Sequence, residues 1–200
     1  MNTKLLLWGL SALAITTSAY ATDSKSEMDD CKHPINSASA RAKGETGFVL
    51  WEKPRAVPTL AFQDGEGKPL SLNNFRGKVL VLNLWATWCR SCREEMPSLG
   101  RLQAKLGGQN LEVLALSIDH AGPKAVRDFV REFGVKHLQL YIDPTAQTPT
   151  TLGVIGVPAT LLLDPQGREL GRLLGPATWD SQAMLKFLEG VIRQTKGDAS

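Results

Sequence analysis

The strongest constraint on the fold is a buried strand that leads almost directly into a helix. The segment from Val79 to Trp85 is a nearly continuous apolar run with β-branched residues, which is typical of a central strand buried on both faces. From Cys89 to Leu106 the apolar side chains recur at helical spacing, and Gly107-Gly108 ends the helix. The sequence therefore predicts a strand–helix unit at the centre of the domain.

Further elements complete an α/β pattern. Helices are predicted around Val126 to Phe133 and Met184 to Ile192. Strands are predicted at Leu111 to Ile118, His137 to Ile142, Ala159 to Leu163 and Glu169 to Leu174. The order β-α-β-α-β, then β-β-α, predicts an α/β fold whose mixed central sheet is flanked by helices on both faces. Before it, Leu60 to Phe62 and Leu70 to Leu72, around a Gly-rich turn, predict an N-terminal β-hairpin extension.

The first residues predict that the chain is exported. Lys4 precedes an apolar run of 11 residues, Leu5 to Ile15, and Ala19-Tyr20-Ala21 fits the small-x-small rule for cleavage. Residues 1–21 are therefore predicted to be a signal peptide or, if they are not cleaved, a membrane anchor. Either alternative places the body of the protein in a bacterial periplasm, a compartment that permits disulfides.

The remaining residues divide into a spacer and a domain. Residues 22–57 are polar at their start and are predicted to form a spacer with a short helix from Ile35 to Lys43. Residues 58–195 are predicted to form the folded domain. The formal net charge of +3 is too balanced to favour a nucleic-acid partner.

The chemistry of the chain centres on Cys89 and Cys92. The pair follows a buried strand and begins a helix, where free N–H groups and the helix dipole stabilise a thiolate. Cys89 is expected to be the exposed nucleophile, and Cys92, one turn inward, the buried resolving thiol. Arg90 and Arg93 add positive charge that favours the thiolate. The oxidised pair is expected to form a disulfide.

Two other uses of this pair are less favoured. A zinc site needs more ligands, but no second Cys-x-x-Cys exists and His33, His120 and His137 do not lie at ligand spacing. A static structural disulfide would close a very short loop, so its entropic stabilisation would be small. The sequence therefore predicts no bound metal and no cofactor.

The segment around the cysteine pair resembles that of a known protein family. The segment from Trp85 to Pro97 resembles the active-site stretch of the TlpA, ResA and CcmG group of periplasmic thioredoxin-like proteins. The similarity extends from about Pro58 to Ile192 and includes Gly156-Val157-Pro158. Gly175-Pro176-Ala177-x-Trp179 is most similar to the TlpA branch. The resemblance implies a thioredoxin-like fold and thiol–disulfide oxidoreductase activity.

The resemblance also implies roles for residues outside the pair. It implies a cis peptide bond between Val157 and Pro158 that faces the cysteines, with the adjoining backbone binding the substrate chain. Trp88 would lie beside Cys89 as a further substrate contact, and the alternative for Trp88 is core filling.

Two departures from relatives bear on mechanism. Asn83 stands where thioredoxin itself has a buried acid, as is common in the TlpA-type group, so another group or water must handle the proton of Cys92. Glu95, one helical turn beyond Cys92, matches an acidic position of the ResA-like pattern and is a candidate proton acceptor. The alternative for Glu95 is a solvated surface residue. Arg90-Ser91 replaces a dipeptide that commonly ends in proline, which leaves the reduction potential open.

Cys31 has no predicted partner. Some TlpA-type relatives pair such a cysteine with one after the Asp-Pro-Gln-Gly turn, where this chain has Arg168. Cys31 is therefore predicted to be a free or intermolecular thiol. Cys31 and His33 together would bind copper weakly at most.

The predicted function is reduction of protein disulfides in the periplasm. The resemblance implies substrates whose cysteine pairs receive metal or haem, in cytochrome c or cytochrome oxidase maturation. It also implies re-reduction by a membrane electron donor of the DsbD or CcdA type. Three alternatives stay open: a disulfide oxidase or isomerase, a copper-binding metallochaperone, and a non-catalytic interaction module.

Overall fold

A computed structural model describes residues 40–41, 46–120 and 122–197. The strands in this part of the chain are β1 (Ala40–Arg41), β2 (Val49–Arg55), β3 (Ala61–Asp64), β4 (Pro69–Ser71), β5 (Val79–Trp85), β6 (Leu111–Ser117), β7 (Leu140–Ile142), β8 (Ala159–Leu163) and β9 (Glu169–Leu174). The helices are α1 (Arg90–Leu106), α2 (Gly122–Phe133), α3 (Thr148–Thr151) and α4 (Gln182–Gly197), with a 3-10 turn at Leu72–Phe75.

All the described strands join one mixed sheet in the order β1-β2-β9-β8-β5-β6-β7-β3-β4. β5 lies near the middle, parallel to β6 and antiparallel to β8. All seven of its residues are buried. The mixed sheet and the buried central strand are confirmed, and the fold is thioredoxin-like.

The side chains of β5 alternate between two apolar cores. Val79, Val81 and Trp85 contribute to the core beneath α1, α2 and α4. Leu80 and Leu84 contribute to the opposite core, together with Leu72 of the 3-10 turn and with Leu152 and Val154, which follow α3. Helices therefore flank both faces, as predicted, but the three longer helices share one face.

The N-terminal part of the sheet extends beyond the predicted domain. β2 lies within residues 22–57, which were expected to be a spacer, yet it pairs antiparallel with β9. Gly171 permits this pairing, because a Cβ there would collide with the Val49 carbonyl oxygen. Phe48 anchors the segment, stacking on Phe187 with ring centroids 5.4 Å apart. The sheet thus begins earlier than residue 58.

The prediction of a helix from Ile35 to Lys43 is wrong at Ala40–Arg41, the part of this range that the structure describes. Ala40–Arg41 is a strand that pairs with β2. Backbone pairing to a neighbouring strand overrides a weak helical pattern in so short a segment. The predicted signal peptide or anchor, residues 1–21, and Cys31 lie outside the described residues.

β3 and β4 pair antiparallel around the turn predicted between them. β3 also pairs with β7, which joins this pair of strands to the sheet. Within the described ranges, none of the helices has the length and apolar character needed to cross a membrane.

Candidate active site

Cys89 and Cys92 form a disulfide at the start of α1, with their Cα atoms 5.3 Å apart. Cys89 is the N-cap residue, and the Cys92 N–H lies 3.2 Å from Cys89 Sγ. Cys89 keeps 7% of its surface exposed, and Cys92 has none. The order of exposure agrees with the expected order, although Cys89 is more covered than an exposed nucleophile was expected to be.

Two oxygen atoms lie close to Cys89 Sγ. The Val157 carbonyl oxygen lies 3.7 Å from Cys89 Sγ, and the Ser91 hydroxyl oxygen lies 3.6 Å from it. A hydroxyl and a helix N–H are both donors that stabilise a thiolate once the disulfide is reduced. The site therefore has two donors placed for the sulfur of Cys89.

The segment that joins β5 to α1 is held by a buried carboxylate. Asp119 is 2% exposed and lies two residues beyond the end of β6. Its carboxylate accepts hydrogen bonds from the Thr87 N–H (2.9 Å) and the Thr87 hydroxyl (2.7 Å). The Ser117 hydroxyl donates a third, at 2.7 Å. These bonds fix the backbone two residues before Cys89.

Sequence reasoning missed Asp119, although a signal was present. β5 and β6 are adjacent and parallel, so their carboxyl ends meet at one edge of the sheet. An acid that comes just after the neighbouring strand lies beside the residues that lead into the cysteines. Such an acid can hold that segment through hydrogen bonds.

The peptide bond between Val157 and Pro158 is cis, as the resemblance implies. Pro158 is buried and precedes β8, which is antiparallel to β5. This antiparallel pairing brings the start of β8 to the edge where β5 ends, so the Val157 carbonyl reaches Cys89. The predicted proximity of these residues is therefore present in the structure.

Trp88 lies at the surface beside the pair. Its side chain is 67% exposed, so the alternative that it fills the core is wrong. Trp85, three residues earlier, is fully buried and packs on Phe129 with ring centroids 5.0 Å apart. The reason for the difference is position: Trp85 belongs to the sheet, and Trp88 to the loop that presents Cys89.

Glu95 is buried, so the alternative prediction of a solvated surface residue is wrong. It is 3% exposed and lies on the inner face of α1. The Asn83 side-chain amide donates to Glu95 Oε1 at 2.9 Å. The Ala177 N–H and the Trp179 indole N–H each donate to Oε2 at 3.0 Å. One carboxylate thus ties α1 to β5 and to the loop before α4.

The surroundings of Glu95 act on its pKa in opposite directions. Burial raises the pKa above its ordinary value of 4.5, because the low-dielectric interior disfavours the charged form. The hydrogen bonds from Asn83, Trp179 and Ala177 favour the carboxylate and oppose that effect. The net effect is a raised pKa for Glu95, as is common for carboxyl groups that transfer protons in active sites.

Asn83 occupies the strand position in front of Glu95. Its amide nitrogen also lies 3.0 Å from the Thr160 hydroxyl oxygen. Within the described residues, its amide oxygen is buried without a hydrogen-bond partner. Also within those residues, no group of three or more His, Cys, Asp or Glu side chains could hold a metal ion.

Known proteins resemble this chain in sequence and in fold. Residues 54–168 match the AhpC/TSA family. The chain belongs to that family. Over 145 residues it is 32% identical to the thiol-disulfide oxidoreductase ResA of Bacillus thuringiensis subsp. konkukian, covering 68% of this chain and 83% of that protein. ResA of Bacillus subtilis is 28% identical over 122 residues, covering 61% and 67%.

Solved structures agree with the fold. A DsbE-type thiol:disulfide interchange protein of Chlorobium tepidum superposes with a TM-score of 0.59 at 29% identity, covering 72% of this chain and 96% of its own. A DsbF homologue of Corynebacterium diphtheriae, at 24% identity, gives a TM-score of 0.59 over 77% and 96%. With the Cys89–Cys92 disulfide, these findings identify a thiol-disulfide oxidoreductase of the ResA/DsbE type.

The raised pKa of Glu95 predicts a specific pH dependence of stability. Between 4.5 and its higher folded pKa, the folded state keeps a proton that the unfolded state has lost. The free energy of unfolding should therefore fall as pH rises through that window. Glu95→Gln removes the titrating group, while the glutamine amide oxygen can still accept hydrogen bonds from Ala177 and Trp179. The fall in the free energy of unfolding with pH that Glu95 causes should therefore be lost.

Urea unfolding of the oxidised protein at a series of pH values from about 4.5 upward checks this. Glu94→Gln, an exposed neighbour on the same helix, is the matched control and should keep the wild-type slope. Parallel curves for wild type and Glu95→Gln would show that Glu95 does not titrate in this window.

The hydrogen bonds of Asp119 predict that removing its carboxylate lowers the free energy of unfolding strongly. Asp119→Ala removes a buried carboxylate that accepts three hydrogen bonds and leaves their donors without this acceptor, so unfolding should become easier by about 2–3 kcal/mol. Asp128→Ala, which removes an exposed ion pair with Lys124, should cost far less, because an exposed ion pair contributes little to stability. Denaturant unfolding compares the two, and equal losses would contradict the role assigned to Asp119.

Proposed function

We propose that this protein reduces disulfides in exported proteins, with Cys89 as nucleophile and Cys92 as resolving thiol. The Cys89 thiolate attacks one sulfur of a substrate disulfide, and the other substrate sulfur leaves as a thiolate. The Cys92 thiolate then attacks Cys89 Sγ, which releases the second substrate thiolate and forms the Cys89–Cys92 disulfide. Two electrons pass from the dithiol to the substrate.

The observation that carries this proposal is the unequal placement of the two sulfurs. Cys89 is the N-cap of α1 and keeps accessible surface, whereas Cys92 is fully buried. A thiolate at a helix N-terminus is stabilised by the dipole and by free N–H groups. A buried second thiol three residues on can reach Cys89 Sγ but not an incoming protein.

Glu95 is proposed to accept the proton of Cys92 as that thiol becomes the attacking thiolate. It lies on α1 three residues after Cys92, hence on the same side of the helix. Its raised pKa supports the role, since a carboxyl with an ordinary pKa is a weaker base. Asn83, which carries no titratable proton, is proposed to orient Glu95 through the 2.9 Å hydrogen bond.

Trp88, Val157 and Pro158 are proposed to bind the substrate chain. The Val157 carbonyl lies 3.7 Å from Cys89 Sγ, so an extended substrate segment carrying the attacked cysteine can pair with the backbone there. The exposed Trp88 ring, in the residue directly before Cys89, offers an apolar surface for the same segment.

The substrate class and the electron donor rest on the resemblance to the TlpA, ResA and CcmG group. We propose that the substrates are cysteine pairs of proteins that receive haem or metal, in cytochrome c or cytochrome oxidase maturation. The protein is proposed to act in the periplasm, exported by residues 1–21 or anchored by them. Re-reduction is proposed to come from a membrane donor of the DsbD or CcdA type.

One observation favours a second candidate, a disulfide oxidase. The Cys92 N–H and the Ser91 hydroxyl both lie near Cys89 Sγ, at 3.2 and 3.6 Å. Donors that stabilise the Cys89 thiolate favour the reduced protein and so make its disulfide more oxidising. The reduction potential against glutathione separates the two, because a value near −120 mV, about that of a strong oxidant, would contradict a reductase.

Trapping in the native cell tests the function and the roles together. In a Cys31→Ser background, the Cys92→Ser variant should accumulate mixed disulfides through Cys89, because the resolving step is lost. Mass spectrometry of the captured proteins should identify proteins with cysteine pairs that bind haem or metal. The matched control is Cys89→Ser in the same background, which should capture nothing because Cys92 is buried. Equal capture by both variants would contradict the assigned roles.

A further inference from the structure

Two chemically different surfaces lie close to the disulfide in sequence. Apolar side chains are exposed at Trp88, next to Cys89 (67%), and at Ile155, two residues before Val157 (92%). The start of α1 also lines a pocket of about 350 Å³. We call this the Arg93 pocket, and it is lined by Arg90, Arg93, Glu94, Pro97 and Phe133. The lining therefore comes from the start of α1 and from Phe133, the last residue of α2.

The Arg93 pocket contains a cation without a carboxylate partner. The Arg93 guanidinium lies over the Phe133 ring, 5.6 Å from its centroid. Glu94 is paired with Arg90 at 2.9 Å instead. Across the described residues, no acidic side chain forms an ion pair with Arg93. The positive end of α1 adds to the potential at this position.

We propose that the Arg93 pocket binds an acidic side chain of the substrate, an Asp or Glu within two residues of the attacked cysteine. This inference rests on the proposed function and specifies its substrate class. Arg93 follows Cys89 by one helical turn, and its N–H donates to the Cys89 carbonyl oxygen at 3.2 Å. Residues four apart lie on the same side of a helix, so a chain whose cysteine lies over Cys89 passes within reach of Arg93. Apolar residues elsewhere in the segment contact the exposed side chains of Trp88 and Ile155.

An acidic occupant fits the pocket better than the alternatives. An apolar side chain would cover the Arg93 guanidinium without replacing its hydration, which is costly. A basic side chain would be repelled by the same charge. A carboxylate pairs with the guanidinium in a fork geometry while the Phe133 ring, 45% exposed, holds the cation in place.

Matched peptides test the pocket directly. Two synthetic peptides of equal length each carry one intramolecular disulfide, and every residue flanking a cysteine is Glu in one peptide and Gln in the other. The reduced full-length protein should reduce the Glu peptide about threefold to fivefold faster at low salt, as expected for one partly exposed ion pair. The preference should shrink as salt is added, because salt screens the pair.

The variant Arg93→Gln should bring the rate ratio of the two peptides to about one. Using the ratio cancels any effect of Arg93 on Cys89 itself, since both peptides meet the same thiolate. The matched control Arg193→Gln removes an exposed charge from α4 and should keep the wild-type ratio. A wild-type ratio of one, or a preference that survives in Arg93→Gln, would overturn the inference.

The neutral small substrate hydroxyethyl disulfide separates this inference from the proposed function. If the wild-type protein reduces neither the peptides nor hydroxyethyl disulfide, the proposed function fails and the inference fails with it. If it reduces hydroxyethyl disulfide and both peptides at equal rates, the proposed function stands and the Arg93 pocket does not select for acidic residues.

Discussion

The hydrogen bonds between the Asp119 carboxylate and Thr87 are the interaction on which the site depends. They hold the short segment that connects the buried strand β5 to the first turn of α1. The segment must turn within a few residues so that Cys89 becomes the N-cap of α1. Because β6 is parallel to β5 and β8 is antiparallel to it, Asp119 and the cis peptide at Pro158 both reach this edge of the sheet.

The second constraint is the buried carboxylate of Glu95. A carboxylate in the interior is costly unless hydrogen bonds compensate for lost hydration. Here three donors come from β5 and from the loop before α4. The arrangement places an acid on the helix that carries the cysteines and a neutral amide, Asn83, on the strand. The titratable group therefore lies on the same element as Cys92.

The central elements were predictable because their signals are local. An uninterrupted apolar run predicts β5, and a helical stripe beginning at the cysteine pair predicts α1, since both patterns arise from burial by neighbouring layers. The burial of Glu95 was also accessible, because Cys92, Leu99 and Leu102 lie on the same helix face three, four and seven residues away. Charge alone made a solvated position look plausible.

The parts that were not predictable depend on long-range contacts. β2 contains Glu52, Lys53 and Pro54, which suggest a spacer, and it becomes a strand because Gly171 admits its backbone beside β9. Phe48 adds contacts with Trp179 and Phe187, far along the chain. Trp85 and Trp88 have the same side chain but opposite exposure, and only the end of β5 at Trp85 distinguishes them.

The pH dependence of alkylation at the two cysteines of the reduced protein tests most directly whether this architecture activates Cys89. Mass spectrometry after brief iodoacetamide treatment follows each cysteine separately. The structure predicts that Cys89 reacts first, with a pKa clearly below the value of about 8.5 for a free cysteine, and that Cys92 is protected. Faster reaction of Cys92, or a Cys89 pKa at or above about 8.5, would contradict it.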